Sequence, residues 1–187
     1  LELTMREMGA EGPSFDTIVA FGTNAAKPHA VPTDRALQPG ELVLIDMGLI
    51  LDGYCSDMTR TVAIGCVTDE MRSVYELVLL AQKTACEGIR AGLACEAADR
   101  LARDVICDAG YGDYFGHGLG HGTGLQIHEA PRLRPGYPGL LRENQIVSIE
   151  PGIYLPQKFG VRIEDLAMVT PFGIINFVSS PKDLIIL

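Results

Sequence analysis

The segment VLIDMGLILDGYCSDMTRTVAI, residues 43–64, holds two apolar runs separated by a turn. Asp52 and Gly53 form a dipeptide typical of a tight hairpin, so the two runs are expected to pair as strands. Asp46 lies within the first run, where an ionised carboxylate bears a large desolvation cost unless it is paired or bound to a metal. Asp57 lies in the second run, and facing carboxylates repel unless they share a proton or a cation. The segment therefore predicts a cation site, although a turn, a cap or a surface position would explain either aspartate alone.

Three downstream segments supply further carboxylate and imidazole side chains that could bind the same cations. They are GHGLGHGTGLQIHE at residues 116–129, SIEPG at 148–152 and VRIED at 161–165. These segments add one histidine and two glutamates to the two aspartates. Together they make an oxygen-rich site suited to two hard or borderline divalent ions. A phosphate-binding loop is a weak rival, because the lysine and the glycine spacing of such loops are missing. A zinc site made of the three histidines lacks an HExxH motif and any cysteine partner.

At these residues the sequence resembles the pita-bread metallopeptidases, a family that contains methionine aminopeptidase, aminopeptidase P and prolidase. The resemblance runs nearly end to end and includes five motifs in the order of the family. It implies an α+β fold, the pita-bread fold, in which a curved and mainly antiparallel sheet is flanked by helices. The motifs SDMTRT at residues 56–61 and VRIEDLAMVT at 161–170 favour the proline-directed branch of this family. The resemblance also implies the ligands of a dinuclear metal centre, which fall on Asp46, Asp57, His121, Glu150 and Glu164.

Further roles follow from the same resemblance. It implies that His29 binds substrate, and that His117 and His128 contact substrate or the tetrahedral intermediate. It also implies that Glu150, besides binding metal, moves a proton toward the leaving nitrogen. For His29 alone, a solvent-facing loop histidine is the simpler interpretation.

Arg162 is a candidate site residue on grounds of pattern. Residues 160–169 are predicted to form one strand, in which alternation places Arg162 and Glu164 on one face and Asp165 on the other. Arg162 is therefore expected to support a carboxylate ligand. A structural salt bridge is the alternative, and the two roles are compatible.

We therefore expect a metal-dependent hydrolase that cleaves the bond between an amino-terminal residue and proline, as an Xaa-Pro dipeptidase or aminopeptidase does. Four carboxylates and one imidazole favour Mn²⁺ or Co²⁺, and Zn²⁺ is a further candidate. Two alternatives stay open at this point. One is an exopeptidase like methionine aminopeptidase, and the other is a non-catalytic peptide-binding module of the same fold.

Length and composition limit the number of domains, the kinds of partner and the state of the cysteines. The 187 residues fit one catalytic domain, residues 1–187, which starts inside a helix and is expected to lack its first helix and any amino-terminal domain. A formal net charge of −9 argues against nucleic acid, and the longest apolar runs are too short for a membrane span. Five cysteines without a CxxC pair suit reduced thiols in the cytoplasm. The expected partner is a proline-containing peptide, and a homodimer is the candidate assembly.

Local signals predict the other elements. Thr68 is placed to cap a helix that ends near residues 88–92, and a second helix is expected at 96–109. Further strands are expected at residues 17–21, 145–149 and 173–178. Residues 131–141, rich in proline and glycine, are predicted to form a surface loop bordering the cleft.

Overall fold

The computed structural model describes all 187 residues. Its helices are α1 (Glu2–Glu7), α2 (Asp69–Gly88) and α3 (Cys95–Asp108), with short 3-10 turns at Gly22–Ala26 and Gly112–Tyr114. The strands in the first half are β1 (Gly12–Pro13), β2 (Ile18–Phe21), β3 (Leu42–Met47), β4 (Leu49–Leu51), β5 (Tyr54–Cys55) and β6 (Met58–Ala63). Those in the second half are β7 (Gly120–Gly122), β8 (Glu129–Leu133), β9 (Ile146–Ile149), β10 (Gly152–Leu155), β11 (Phe159–Arg162), β12 (Asp165–Thr170) and β13 (Gly173–Asn176).

The strands pair antiparallel throughout, as expected for the fold, but they form four hydrogen-bonded sheets. The largest has the order β13-β12-β9-β7-β8, and a second has the order β2-β3-β6. Smaller sheets have the orders β1-β4-β5 and β10-β11. Helices α2 and α3 pack against each other and against these sheets around one core of 25 buried residues. None of the helices is both long and apolar enough to cross a bilayer.

The central hairpin forms where the sequence predicts it. Asp52 and Gly53 take positive φ angles of 50° and 78°, the backbone conformation that a tight two-residue hairpin turn requires. Strand β3 pairs with β6 in a register that sets Asp46 opposite Thr59. The hairpin thus brings Asp46 and Asp57 to one cavity, which both residues line.

Helix α2 begins and ends as its local signals predict. The Thr68 hydroxyl accepts a hydrogen bond from the Met71 amide, which satisfies one of the free N–H groups of the first turn. Val74, Val78 and Ala81 recur at helical spacing and are fully buried. The helix is therefore held mainly by its apolar face, with the cap fixing where it begins.

The predicted single strand at residues 160–169 is wrong. The chain leaves β11 at Arg162 and enters β12 at Asp165, and these strands belong to different sheets. Between them the amide of Ile163 donates to the Pro151 carbonyl and the amide of Glu164 donates to the Thr59 carbonyl. Uninterrupted alternation cannot reveal such a crossing, because both strands keep the same period.

The predicted loop at residues 131–141 is also partly wrong. Residues 131–133 belong to β8, in which Pro131 is buried. Proline is tolerated there because β8 is an edge strand of the five-stranded sheet and needs no outward N–H. After β9 ends at Ile149, the chain passes through Glu150 and Pro151 and begins β10 at Gly152 in another sheet.

Candidate metal centre

The five residues expected to bind metal lie around one cavity of about 780 Å³. They come from five different segments of the chain and are carried by strands or by the ends of strands. Asp46 lies on β3, Asp57 just before β6, His121 on β7, Glu150 directly after β9 and Glu164 between β11 and β12. The structure therefore brings together residues that are separated by up to 118 positions in sequence.

Three of these side chains form a tight group at the floor of the cavity. Ligand atoms of Asp57, His121 and Glu164 lie within 4.8 Å of one another, and all three residues are buried. Nε2 of His121 lies 3.5 Å from Oδ2 of Asp57 and 3.3 Å from Oε1 of Glu150. Nδ1 of His121 lies 3.0 Å from the Gly122 carbonyl oxygen, which can only accept, so Nδ1 carries a proton. Nε2 is thereby directed at the carboxylates, as in a metal-binding histidine.

The clustered acids repel one another in the metal-free state. Burial, together with the negative charges of Asp46 and Glu150, raises the pKa of Asp57 to about 8. Burial and the neighbouring carboxylates likewise raise the pKa of Glu164 well above its ordinary value. Such groups keep protons unless a cation compensates their charge, and a bound metal would displace those protons.

Glu150 behaves differently because it lies against imidazoles. Burial acts to raise its pKa, but the hydrogen bond from His121 and the positive charges of His121 and Arg162 act against burial, and the pKa is brought to about 2. The Ser148 hydroxyl also donates to Oε1 of Glu150 at 3.0 Å. Glu150 is therefore the carboxylate of the site that is most firmly held in its ionised form.

Two carboxylate oxygens in the site are buried without any hydrogen-bond partner. They are Oδ1 of Asp46 and Oε1 of Glu164. In each residue the other oxygen is satisfied, by Arg162 in the first case and by Thr59 in the second. An unpaired carboxylate oxygen is costly in a protein interior but suits a divalent cation. The residues present thus fit the two metal ions that the ligand set implies.

Arg162 contacts the carboxylate that its position on β11 indicates. Its Nη2 donates to Oδ2 of Asp46 at 2.6 Å, and its Nε donates to the Thr59 hydroxyl at 3.0 Å. Its Nη1 donates to the hydroxyl of Tyr154 and to the carbonyl of Pro28. The guanidinium is almost completely buried, so it holds several groups of the site in fixed positions.

Sequence reasoning missed three polar residues that support the site. The Thr59 hydroxyl donates to Oε2 of Glu164 at 2.6 Å, and the Ser148 hydroxyl holds Glu150 as described. The hydroxyl of Tyr154 lies 2.8 Å from Nε2 of His117. Strand alternation could have found two of them, because Thr59 and Ser148 each lie two residues from a ligand on or next to a strand.

The three histidines that are not expected to bind metal all line the cavity. Nδ1 of His117 lies 2.8 Å from the Gly118 carbonyl and its Nε2 faces Tyr154, so both ring nitrogens already have protein partners. The ring of His128 packs edge-on against that of His121, with 4.5 Å between centroids, and makes no hydrogen bond within the protein. His29 is exposed on the cavity wall. Burial lowers the pKa of His117 and of His128, which favours neutral imidazoles.

Two arginines near the strand end of β8 also line the cavity. Arg132 and Arg134 make no ion pair and no side-chain hydrogen bond within the protein. Their guanidinium groups are available to an anionic group entering the cleft.

Taken together, an antiparallel α+β fold and four carboxylates and one histidine around one cavity are the features expected of a dinuclear metallohydrolase. The chain matches the model of metallopeptidase family M24 over residues 1–171, and it belongs to that family. It is 44% identical over 185 residues to an Xaa-Pro dipeptidase of Pyrococcus furiosus, a match that covers 99% of this chain and 53% of that protein.

Solved structures agree with this assignment. An Xaa-Pro dipeptidase from Bacillus anthracis superposes with a TM-score of 0.98 at 48% identity, covering 100% of this chain and 52% of that one. An X-Pro aminopeptidase from Thermotoga maritima superposes with a TM-score of 0.97 at 41% identity, covering 100% of this chain and 53% of that one. The chain thus spans about half the length of the relatives it matches. The pita-bread fold expected from the sequence is confirmed.

Proposed function

We propose that residues 1–187 carry the catalytic centre of a proline-directed metallo-exopeptidase, with two divalent ions held by Asp46, Asp57, His121, Glu150 and Glu164. The observation that carries the proposal is the pair of buried, unpaired oxygens, Asp46 Oδ1 and Glu164 Oε1, within this ligand set. The names of the relatives support the proline-directed reaction, since they include both an Xaa-Pro dipeptidase and an X-Pro aminopeptidase.

Bound divalent ions would supply a water-derived nucleophile at neutral pH and would polarise the scissile carbonyl. The chain itself supplies the proton transfer. The leaving nitrogen of an Xaa-Pro bond has no N–H before cleavage, so it must receive a proton as it departs. Glu150 is the group proposed to move that proton, because Ser148 and His121 hold its Oε1 atom toward the centre of the site.

The histidines divide into two kinds. His128 and His29 have no hydrogen-bond partner in the protein and face the cavity, so they are free to donate to the substrate carbonyl or to the developing oxyanion. For His117, contact with substrate requires exchange of one of its two existing partners. Of the two free histidines, His128 packs against the proposed ligand His121, so we place the main oxyanion contact on His128.

We further propose that the preferred substrate is a dipeptide. Arg132 and Arg134 are the cations lining the cavity that lack a protein partner, and the carboxylate of a two-residue substrate lies one residue beyond the scissile bond. A longer peptide presents a neutral amide at that position and gains nothing from a free guanidinium.

The test is turnover of Ala-Pro and Ala-Pro-Ala by the manganese-loaded chain, repeated with cobalt and with zinc. Asp57→Asn should abolish turnover, whereas the same change at the exposed turn residue, Asp52→Asn, should leave it intact. Arg132→Met should raise KM for Ala-Pro by about 10-fold or more, since a charge-assisted hydrogen bond is worth about 1.5–3 kcal/mol. Binding of two ions without turnover of either peptide, or cleavage of a methionyl peptide in their place, would overturn the proposal.

A further inference from the structure

Arg60 on β6 uses every N–H of its guanidinium within the protein. A guanidinium has five N–H donors, and Arg60 makes five hydrogen bonds while being almost completely buried. The acceptors are the carbonyl oxygens of Thr59, Glu164, Ser180 and Pro181 and the Oδ1 atom of Asp165. Arg60 itself does not line the cavity of the metal centre.

Asp165 joins the same network from the other side. It is fully buried, and its Oδ2 atom accepts hydrogen bonds from Lys182 at 2.6 Å, from Asn176 at 2.6 Å and from Gln82 at 3.0 Å. The ammonium of Lys182 also donates to the side-chain carbonyl of Gln82 at 3.0 Å. Four separate parts of the fold thus meet at one carboxylate, namely β6, α2, β13 and the segment 180–182.

The network reaches the metal centre through Glu164, the residue before Asp165. The Thr59 hydroxyl orients the Glu164 carboxylate, and Arg60 holds the backbone carbonyls of both Thr59 and Glu164. The amide of Glu164 donates to the Thr59 carbonyl, so the two residues are joined by backbone and side chain alike. Arg60 thus holds the backbone of Thr59, the residue that supplies the only hydrogen-bond donor to the Glu164 side chain.

We infer that Arg60 and Lys182 are positioning residues for Glu164, and that residues 180–182 act as a brace that sets the metal affinity of the site. The inference rests on the proposed function, since it takes Glu164 as a metal ligand. Lys182 holds Asp165 from the side opposite to Arg60, and its loss leaves a buried carboxylate with a single cation partner. Partners of this kind change metal affinity by about 10–100-fold when they are removed.

The experiment measures binding of manganese chloride to the metal-stripped chain by titration calorimetry. Lys182→Met should weaken Mn²⁺ binding by about 10-fold and Arg60→Lys by up to about 100-fold, because lysine offers three donors in place of five. Lys182→Arg keeps the charge and should restore affinity to within about threefold of wild type. Ile106→Ala, a cavity-forming change in the buried face of α3, serves as a control that lowers the melting temperature without touching the network.

The results distinguish a positioning role from a general effect on stability. If Lys182→Met binds Mn²⁺ like wild type, or if Ile106→Ala weakens binding equally, the brace has no positioning role and the inference is wrong. If Lys182→Met does not fold, Asn176→Ala removes another donor to the same oxygen from an exposed residue, and unchanged affinity in that variant overturns the inference as well. If the wild-type chain binds no Mn²⁺, the proposed function fails and the inference fails with it.

Discussion

Replacing Thr59 by valine removes one oxygen atom that serves two charged groups. In the structure this hydroxyl donates to Oε2 of Glu164 at 2.6 Å and accepts from Nε of Arg162 at 3.0 Å. Valine preserves the branched shape, so the β6 strand and its packing are retained. What is lost is the alignment of the Glu164 carboxylate, whose Oε1 atom is already without a partner.

The size of the effect follows from these contacts. Hydrogen bonds to charged groups contribute about 1.5–3 kcal/mol, and 1.4 kcal/mol corresponds to tenfold in an equilibrium constant. Thr59→Val should therefore weaken Mn²⁺ binding by about 10–100-fold, with a comparable loss of kcat/KM for Ala-Pro at limiting metal.

The same strand offers a matched control. Thr61 is equally buried, and its hydroxyl bonds only to the backbone carbonyl and amide of Arg162, at 3.0 and 3.2 Å. Thr61→Val should lower the free energy of unfolding by about 1–3 kcal/mol while changing Mn²⁺ affinity less than about threefold. Titration calorimetry and urea unfolding of both variants give the comparison. Equal weakening of Mn²⁺ binding by the two substitutions would refute the reasoning, because Thr59 would then act only through the general stability of β6.

Three further predictions concern metal removal, the pH dependence of stability and the reactivity of the thiols. Removing metal with EDTA should lower the melting temperature by about 5–10 °C, because a ligand at 100 times its Kd stabilises the folded state by about 2.7 kcal/mol and scanning calorimetry detects such a shift. In the metal-free protein, burial and neighbouring carboxylates raise the pKa of Asp57 from 3.8 to about 8, so the folded state binds the extra proton between these values. The stability that this group contributes is fully present below pH 3.8 and is lost as the pH rises through about 8. The urea concentration at the unfolding midpoint should therefore fall between these pH values. It should fall less in Asp57→Asn, which lacks the titrating group. Burial raises the pKa of Cys86 to about 11, so a thiol reagent should modify exposed Cys66 and Cys107 first at neutral pH. Modification of Cys86 at a rate equal to theirs would contradict its half-buried position on α2, where its Sγ atom accepts a hydrogen bond from Gln82 of the Asp165 network.

The sequence predicted those parts of the fold that short-range signals control. Asp52 and Gly53 determine a turn by their own backbone preferences, and Thr68 determines a helix start through a bond to a residue three positions away. The resemblance of the motifs to a known family also selected five residues as proposed ligands, and the structure brings these five to one cavity. In each case the residues that determine the feature lie close together in the sequence or within one motif.

The contacts that support the site lacked any such signal. Thr59 meets Glu164 across 105 positions, and Arg60 meets Pro181 across 121. Such pairs form because β6, the passage from β11 to β12 and the segment 180–182 meet behind the cavity. The periodicity of the sequence gives no indication that these three segments lie together. The change of sheet at Ile163 and Glu164 was hidden for the same reason, since alternation continues unbroken through it.

That change of sheet also gives the Glu164 carboxylate its place in the cavity. Inside a continuous strand, the Glu164 amide would bond to the neighbouring strand of the same sheet. Strand alternation would then decide which face of that sheet its carboxylate lies on. In the structure the amide bonds to Thr59 of another sheet, whose hydroxyl then holds the carboxylate. The crossing therefore places Arg162 and Glu164 in one cavity while Asp165 turns into the network behind it. A variant that restored ladder pairing at Glu164 would gain regular strand structure and lose the free Oε1 atom that suits the site to a cation.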